Sequence, residues 1–273
     1  MSILSLHLLR APAKINLFLK VLDRLDDGYH EIESLIQTID LSDYLEVELV
    51  KDQGIWVEVL PRTLDLDLSN NTLTRVYEVL KERYEEINFG MKIKLHKHIP
   101  IGGGLGGGSS DAAALLRFLK DLLSISTEEA IEMAFEIGSD VPALIMGGTV
   151  LVKGRGEIVS PLEPLPKYGV FLRCPGVHVD TGQAYQWLDG IDVKSPSYTA
   201  LDCYEALKKG NFELLWNDFQ PVVSSRIPVV EEALREMEER HQKALLTGSG
   251  SCVFALNVSR GDHSFLPGFD LQF

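Results

Sequence analysis

Six glycines fall within the seven residues Gly102–Gly108, interrupted only by Leu105. No packed core can be built from such a run. Glycine reaches backbone conformations closed to other residues and leaves room for a ligand to approach the chain closely. Pro100 and Ile101 precede the run, and Ser109, Ser110, Asp111 and an alanine stretch follow it. Polar residues leading into alanines are how a helix begins. The first turn of a helix leaves backbone N–H groups unpaired at the positive end of its dipole, which together make an anion site. The ligand this predicts is a nucleotide polyphosphate.

Known phosphate loops can be tested against the run. It matches G-x-G-x-x-G through Gly102, Gly104 and Gly107, the pattern of a dinucleotide fold. The preceding segment Met91–Lys97 alternates polar and apolar residues, whereas the strands of that fold are buried on both faces. Asp121 lies at a suitable distance but at the end of a helix, not after a second strand. No Gly-Lys-Ser/Thr follows, so it is not a P-loop. No His-Arg-Asp or Asp-Phe-Gly segment occurs, which excludes a protein kinase. A flexible linker would show a Ser/Gly repeat and no flanking strand and helix.

The 273 residues allow one large domain or two small ones, with a sizeable core. A formal charge of −14 argues against general nucleic-acid or acidic-membrane binding. It leaves room for a small anionic ligand, which needs only local donors. Cys174, Cys203 and Cys252 are far apart and form no C-x-x-C pair, which fits a reducing cytosol and gives no zinc signature. No basic-then-apolar leader and no run of 18 apolar residues is visible. The expectation is a cytoplasmic protein with no nucleic-acid, membrane or evident protein partner.

Period-two alternation predicts strands at 3–9, 15–21, 44–50, 55–60 and 91–97. Helical spacing of Leu73, Val76, Tyr77, Leu80, Tyr84 and Ile87 predicts a helix over 71–87. Another helix is expected from about 110 to 123. Ser126-Thr127-Glu128-Glu129 reads as a capping box for the next, which Gly138 ends. Ser139-Asp140-Val141-Pro142 starts a further helix. Strands follow near 148–153 and 168–173, helices near 182–188, 199–208 and 229–241, and a last strand at 252–257. The Pro/Gly-containing stretch 154–167 is the softest boundary. Two α+β lobes are expected, 1–155 for nucleotide binding and catalysis and 156–273, with the site in the cleft between them.

Three segments together resemble the GHMP kinases, the superfamily of galactokinase, homoserine kinase, mevalonate kinase and phosphomevalonate kinase. They are Ala11-Pro12-Ala13-Lys14-Ile15-Asn16-Leu17, the glycine loop and Gly248-Ser249-Gly250. Asp27-Gly28-Tyr29-His30 and Gly138-Ser139-Asp140-Val141-Pro142 are similar to the 4-diphosphocytidyl-2-C-methyl-D-erythritol kinases within it. The likeness runs in the family's order from about residue 8 to 257. It implies an α+β, two-lobed fold, with a ribosomal-protein-S5-like N-terminal domain and a ferredoxin-like C-terminal domain.

The resemblance also implies roles. Asp140 is the expected general base; by itself it reads as a carboxylate at a helix start. Lys14, alone a snorkelling strand lysine, is the expected catalytic partner that holds Asp140 and neutralises the moving phosphoryl. ATP is expected on Pro100, Gly102, Gly103, Gly104, Leu105, Gly106, Gly107, Gly108, Ser109 and Ser110, with Asn71 and Lys97 near adenine. Asn16 shares the strand face of Lys14 and is expected to hold the acceptor diol. Tyr29 and His30 are the expected cytosine pair, opposed by Tyr185, with Thr181, Gly248, Ser249 and Gly250 completing the acceptor site. Mg²⁺ is expected mainly on nucleotide phosphates, with the Ser110 hydroxyl as the candidate protein ligand. Other small-molecule kinases, of mevalonate or homoserine type, and a non-catalytic ATP-binding regulator are the competing readings. The tail after Asn257 is assigned no role.

Overall fold

A computed structural model describes residues 3–26, 28–61, 71–84, 87–191 and 193–269. Its first half runs β1 (Ile3–Arg24), β2 (His30–Val50), β3 (Ile55–Leu60), α1 (Thr72–Arg83), β4 (Gly90–His96) and α2 (Gly107–Leu123). Then come α3 (Thr127–Ile137), α4 (Val141–Met146), β5 (Thr149–Gly154) and β6 (Ile158–Pro161). The second half runs β7 (Gly169–Arg173), α5 (Thr181–Asp189), α6 (Ala200–Leu207), β8 (Trp216–Asn217) and α7 (Phe219–Ser224). It closes with α8 (Pro228–Glu238), β9 (Ala244–Leu246), β10 (Val253–Asn257) and β11 (His263–Ser264).

A seven-stranded sheet follows the order β3-β4-β2-β1-β8, with β5 on the other part of β2 and β6 beyond it. A four-stranded antiparallel sheet has the order β11-β7-β10-β9. Helices α1 to α4 bury their apolar faces in one core with Leu45, Val47 and Ile93 of the larger sheet. Ala112, Ala113 and Ala114 of α2 are buried there; small side chains let that helix lie close to its neighbours. A second core joins Ile15, Leu17 and Phe18 of β1 to Cys203, Leu207 and Phe254 from the other half.

Several elements differ from the sequence expectation. The strands expected at 3–9 and 15–21 are one strand, because Ala11–Ala13 stays extended through Pro12 and the register with β2 shifts between Pro12 and Lys14. Proline, with fixed φ and no N–H to donate, suits such an irregularity. β2 begins at His30, 14 residues before the expected 44. Its middle lies between β1 and β5 and is continuously buried, so no alternation marks it. α2 starts at Gly107 rather than near 110. α1 ends at Arg83; Glu85 and Glu86, within the expected helix, lie outside the described residues. The short β6, β8, α7 and β9 carry too few residues to show a period. Ser126 does cap α3, accepting from Glu129 N at 3.1 Å.

Cys174 and Cys252, far apart and without C-x-x-C spacing, are joined by a disulfide, which departs from the expectation of a reducing cytosol; Cys203 is free and buried. The pairing Val253↔Arg173 of β10 with β7 brings the two together across 78 residues, a juxtaposition no local spacing reveals. Among the described residues, no helix is long and apolar enough to cross a membrane.

Asn217 of β8, the strand that pairs with β1, ties the larger sheet to the 246–248 segment. Its buried amide donates to Leu246 O at 2.7 Å and Gly248 O at 2.8 Å, and its Oδ1 accepts from Phe219 N at 2.9 Å. Asn217→Ala would leave three backbone groups without partners, each costing about 1–3 kcal/mol when buried. A clear fall in the urea midpoint is expected, with the slope unchanged. A midpoint equal to wild type would show that these bonds contribute nothing net.

Candidate active site

β1 presents Lys14 and Asn16 on one face, as alternation along a strand requires. Lys14 is 2% exposed. Its ammonium donates to Asn16 Oδ1 at 2.7 Å and lies 3.4 Å from Asp140 Oδ2. Burying an ammonium costs several kcal/mol unless partners replace its water, and these two oxygens do so. Asp140 stands at the N-cap of α4, yet its side chain makes no capping bond. Its carboxylate is turned to Lys14 and remains 38% exposed, open to a reactant.

The glycine loop lies directly over this pair. Lys14 N–H donates to Leu105 O at 3.0 Å. Gly106 is in the left-handed region, with φ 71°, and precedes α2 as its N-cap without any side-chain cap. A Cβ there would fall 2.9 Å from Lys14 Cγ. A glycine is therefore needed twice over, for the turn and for the lysine stem. Gly104 lines the cavity with its backbone, and its side-chain direction points into protein: a Cβ would lie 2.0 Å from Thr247 O. The first amides of α2, at Gly107, Gly108 and Ser109, line the cavity and carry the positive end of a 17-residue helix.

That cavity is about 870 Å³ in volume. Lys14, Asn16, Tyr29, His30, Asn71, Lys97, Pro100, Gly102–Ser109, Asp140, Thr181, Tyr185 and Gly248–Gly250 all line it. Nearly every residue singled out from the sequence thus faces one space. Ser110 is instead buried, its hydroxyl donating to Pro12 O at 2.6 Å. No group of three His, Cys, Asp or Glu able to hold a metal occurs among the described residues. This donor set does not fit a Mg²⁺ ion caged by protein. Asp27, part of the Asp-Gly-Tyr-His motif, lies outside the described residues.

Individual contacts refine the picture. Asn16 donates to Ser34 Oγ at 3.0 Å, and its Oδ1 also accepts from Gly248 N at 2.9 Å. Both amide atoms are thus engaged, tying Lys14 to the 247–250 turn. Thr247, which sequence reasoning passed over, receives Asn16 N on its hydroxyl at 3.2 Å and donates to Gly104 O at 3.2 Å. Thr181 and Ser249 share a hydroxyl bond at 3.0 Å. Asn71 caps α1, accepting from Leu73 N at 2.8 Å. His30 lies flat on Tyr185, ring centroids 5.0 Å apart and planes 11° from parallel. Its Nε2 meets Asp189 Oδ1 at 2.8 Å. Tyr29 is 61% exposed, with the Arg155 guanidinium 5.4 Å from its ring. Burial, then the Asp140 charge, pushes the Tyr185 hydroxyl up to about 12, so it stays protonated at neutral pH.

Lys97, expected near adenine, lines the cavity but has its ammonium held within the protein. Its ammonium is buried between Asp43 and Asp111, the latter at 2.9 Å. Asp43 Oδ1 also accepts the N–H of Ile99 at 2.8 Å. Lys97 and Asp111 stand before and after the glycine loop, so their bond closes it at the base. Asp111 Oδ1 is buried without a partner. Burial pushes the Asp111 carboxyl up to about 8; the neighbouring Asp43 adds to the rise and Lys97 opposes it.

A carboxyl raised in the folded state holds its proton between about pH 4 and 8, where the unfolded chain has lost it. The folded state then binds more protons, so this group makes stability fall as pH rises through that window. In Asp111→Asn, the melting temperature should decline less between pH 5 and 8 than in wild type. Parallel curves for the two proteins would show that Asp111 does not titrate there.

Residues 71–148 match the GHMP kinases N terminal domain and residues 198–257 the GHMP kinases C terminal domain. The chain is 43% identical over 263 residues to the 4-diphosphocytidyl-2-C-methyl-D-erythritol kinase of Pseudothermotoga lettingae, covering 94% of each chain. It is 40% identical over 264 residues to that of Thermotoga maritima, again covering 94% of each. A crystal structure of 4-(cytidine 5'-diphospho)-2C-methyl-D-erythritol kinase is 32% identical, with a TM-score of 0.75 over 92% of this chain and 90% of that one. Homoserine kinase from Cytophaga hutchinsonii, 20% identical, shares the fold with a TM-score of 0.67 over 95% of this chain and 87% of that one. The α+β architecture is accordingly that of the GHMP kinases, and by full-length similarity the chain belongs to their 4-diphosphocytidyl-2-C-methyl-D-erythritol kinase family.

Proposed function

We propose that the protein transfers the γ-phosphoryl group of ATP to the 2-hydroxyl of 4-diphosphocytidyl-2-C-methyl-D-erythritol, a step of the non-mevalonate route to isoprenoid precursors. The observation that carries this reading is the placement of Asp140. A carboxylate at a helix start ordinarily caps the helix; here it leaves the cap and faces a buried lysine beneath a glycine loop. A non-catalytic ATP-binding protein has no use for that pair.

Asp140 takes the proton of the acceptor hydroxyl as its oxygen attacks the γ-phosphorus. The bond from that phosphorus to the β–γ bridging oxygen breaks, and ADP leaves with the electron pair. Lys14 stabilises the negative charge spread over the transferring group, while the amides at the start of α2 hold the phosphates. Positioning and charge neutralisation are what phosphoryl transfer chiefly asks of a protein. Mg²⁺ is proposed to arrive with ATP, held by phosphate oxygens and water, as it commonly is. Cytosine is proposed to dock on the Tyr29, His30 and Tyr185 cluster, in which the stack on Tyr185 and the bond to Asp189 fix the His30 ring. The reading places the protein in the cytoplasm.

Three measurements test this. Asp140→Asn should keep ATP affinity, by calorimetry, and lose about 10²–10⁴-fold in turnover, the usual worth of general-base assistance. Wild-type turnover in that variant would remove Asp140 from the chemistry. Tyr185→Ala should raise KM for the cytidyl acceptor and leave KM for ATP nearly unchanged, since aromatic stacking on a base contributes about 1–3 kcal/mol in nucleic-acid binders. Methylerythritol 4-phosphate, which lacks the base, should be a poor acceptor. Equal rates with both acceptors would favour a kinase of broader mevalonate or homoserine type.

A further inference from the structure

Residues 263–269 line no part of the cavity. They lie directly behind it. Beside Lys14 the register of β1 and β2 jumps: Pro12 pairs with Ser42 and Lys14 with Thr38, leaving Ile39, Asp40 and Leu41 without β1 partners. The C-terminal segment fills that gap. Ile39 bridges to Phe265, and the Asp40 carboxylate is held by His263 Nδ1 at 3.1 Å and by the Ser264 hydroxyl at 2.7 Å. Leu266 N–H donates to Thr38 O at 3.0 Å, and Gln37 Nε2 donates to Leu266 O at 2.8 Å.

Thr38 links the strand that carries Lys14 to the glycines that follow α4. It faces Lys14 across the strand pair. Its N–H donates to Gly148 O at 3.0 Å, and its hydroxyl accepts from Gly148 N at 2.8 Å. Gly147 and Gly148 follow α4, whose opposite end is Asp140. The C-terminal segment holds this end too. Phe269 N–H donates to Met146 O at 2.9 Å, and Gly268 bridges to Gly147. The Phe269 ring packs so closely that a Cβ on Gly147 would lie 2.6 Å from it. It also covers the Arg117 guanidinium, 3.7 Å away. Arg117, on the glycine-loop helix α2, donates to Leu144 O of α4 and to Arg10 O of β1, the latter at 3.4 Å.

We propose that residues 265–269 form a rear strap that sets the spacing of Lys14 and Asp140. Phe269 is its positioning residue: it touches no reactant and acts through α4 and Arg117. A six-residue helix is only about 9 Å long and far too short to be stable by its own bonds. A shift at its C-terminal end is therefore felt at Asp140, and misplacement by about 1 Å can cost on the order of 10²-fold in rate. The inference rests on the phosphoryl-transfer reading of the Lys14–Asp140 pair.

The test compares the full-length wild type with Phe269→Ala, Phe269→Leu and a chain ending at Pro267. In Phe269→Ala, kcat per folded molecule should fall at least about tenfold, while KM for ATP and for the cytidyl acceptor stay within about twofold. Phe269→Leu, which keeps an apolar cover over Arg117, should recover most of the loss. Hydrogen exchange should quicken at the amides of 141–147 in Phe269→Ala and stay unchanged in the glycine loop. A lower melting temperature with wild-type kcat and wild-type exchange in 141–147 would overturn the strap, as would parallel losses in kcat and both affinities. If the truncated chain does not fold, the two point variants decide alone. An inactive wild type would sink the proposed reaction, and the exchange measurement would still decide the strap.

Discussion

The arrangement depends on one charge kept where water scarcely reaches. Lys14 is 2% exposed, and its ammonium must find partners inside the protein or lose its charge. Asn16 Oδ1 and the Asp140 carboxylate supply them. Much of the local architecture follows from making room for that side chain. A Cβ on Gly106 would strike its stem, and one on Gly248 would lie 3.2 Å from its Nζ. Gly106 is therefore a glycine partly for the sake of a lysine, whereas Gly248, with φ +55°, would first meet Gly104 O at 3.1 Å. Asn16 holds the lysine and the Gly248 amide with one oxygen, so the turn and the ammonium cannot move independently.

The second buried cation works differently. Lys97 sits between Asp43 and Asp111, and this cluster carries one more acid than base. It joins the exit of β4 to the first turns of α2 and thus fixes both ends of the loop between them. Lys14 keeps a half-open carboxylate as its partner, ready for a third group. Lys97 has both its carboxylates within the protein, with side-chain exposures of 0% for Asp43 and 3% for Asp111. Exposure of the partner, more than burial of the lysine, separates a side chain poised for chemistry from one that shapes the loop.

Much of the candidate site was legible along the chain. The glycine run, the Lys14-x-Asn16 alternation and the Gly138–Pro142 helix start each have a local physical meaning, and the structure brings them to one cavity. Local signals failed where partners are distant. The upstream half of β2 is covered on both faces, with Leu35 and Ile39 in one core and Ile36 in another, and so shows no alternation. The Cys174–Cys252 disulfide needs the β7–β10 register. His30 looked like a group free to read a base edge; Tyr185 and Asp189, both more than 150 residues away, hold it flat. Nothing local to Lys97 signals that Asp43 of β2 and Asp111 of α2 enclose its ammonium. The C-terminal segment shows no period, since within a few residues it passes from β2 to the end of α4.

A chain with a formal charge of −14 has to attract a polyphosphate, and the structure resolves the apparent conflict by distance. At physiological ionic strength, charges farther apart than about 8 Å are largely screened from one another when exposed. Most of the acidic excess therefore carries little weight at the loop. What counts there is the lysine a few ångströms below it and the free amides of α2, whose partial charges belong to the backbone and cannot be titrated away. Those amides act where water is partly excluded, so each contributes more than the same group on an open surface. The acceptor brings a second set of phosphates into the same space. A strongly cationic site would hold both reactants and both products tightly, and uniform binding of that kind does not speed the chemical step. One buried lysine facing one open carboxylate concentrates the attraction on the phosphoryl in transit, where it distinguishes the transition state from either ground state.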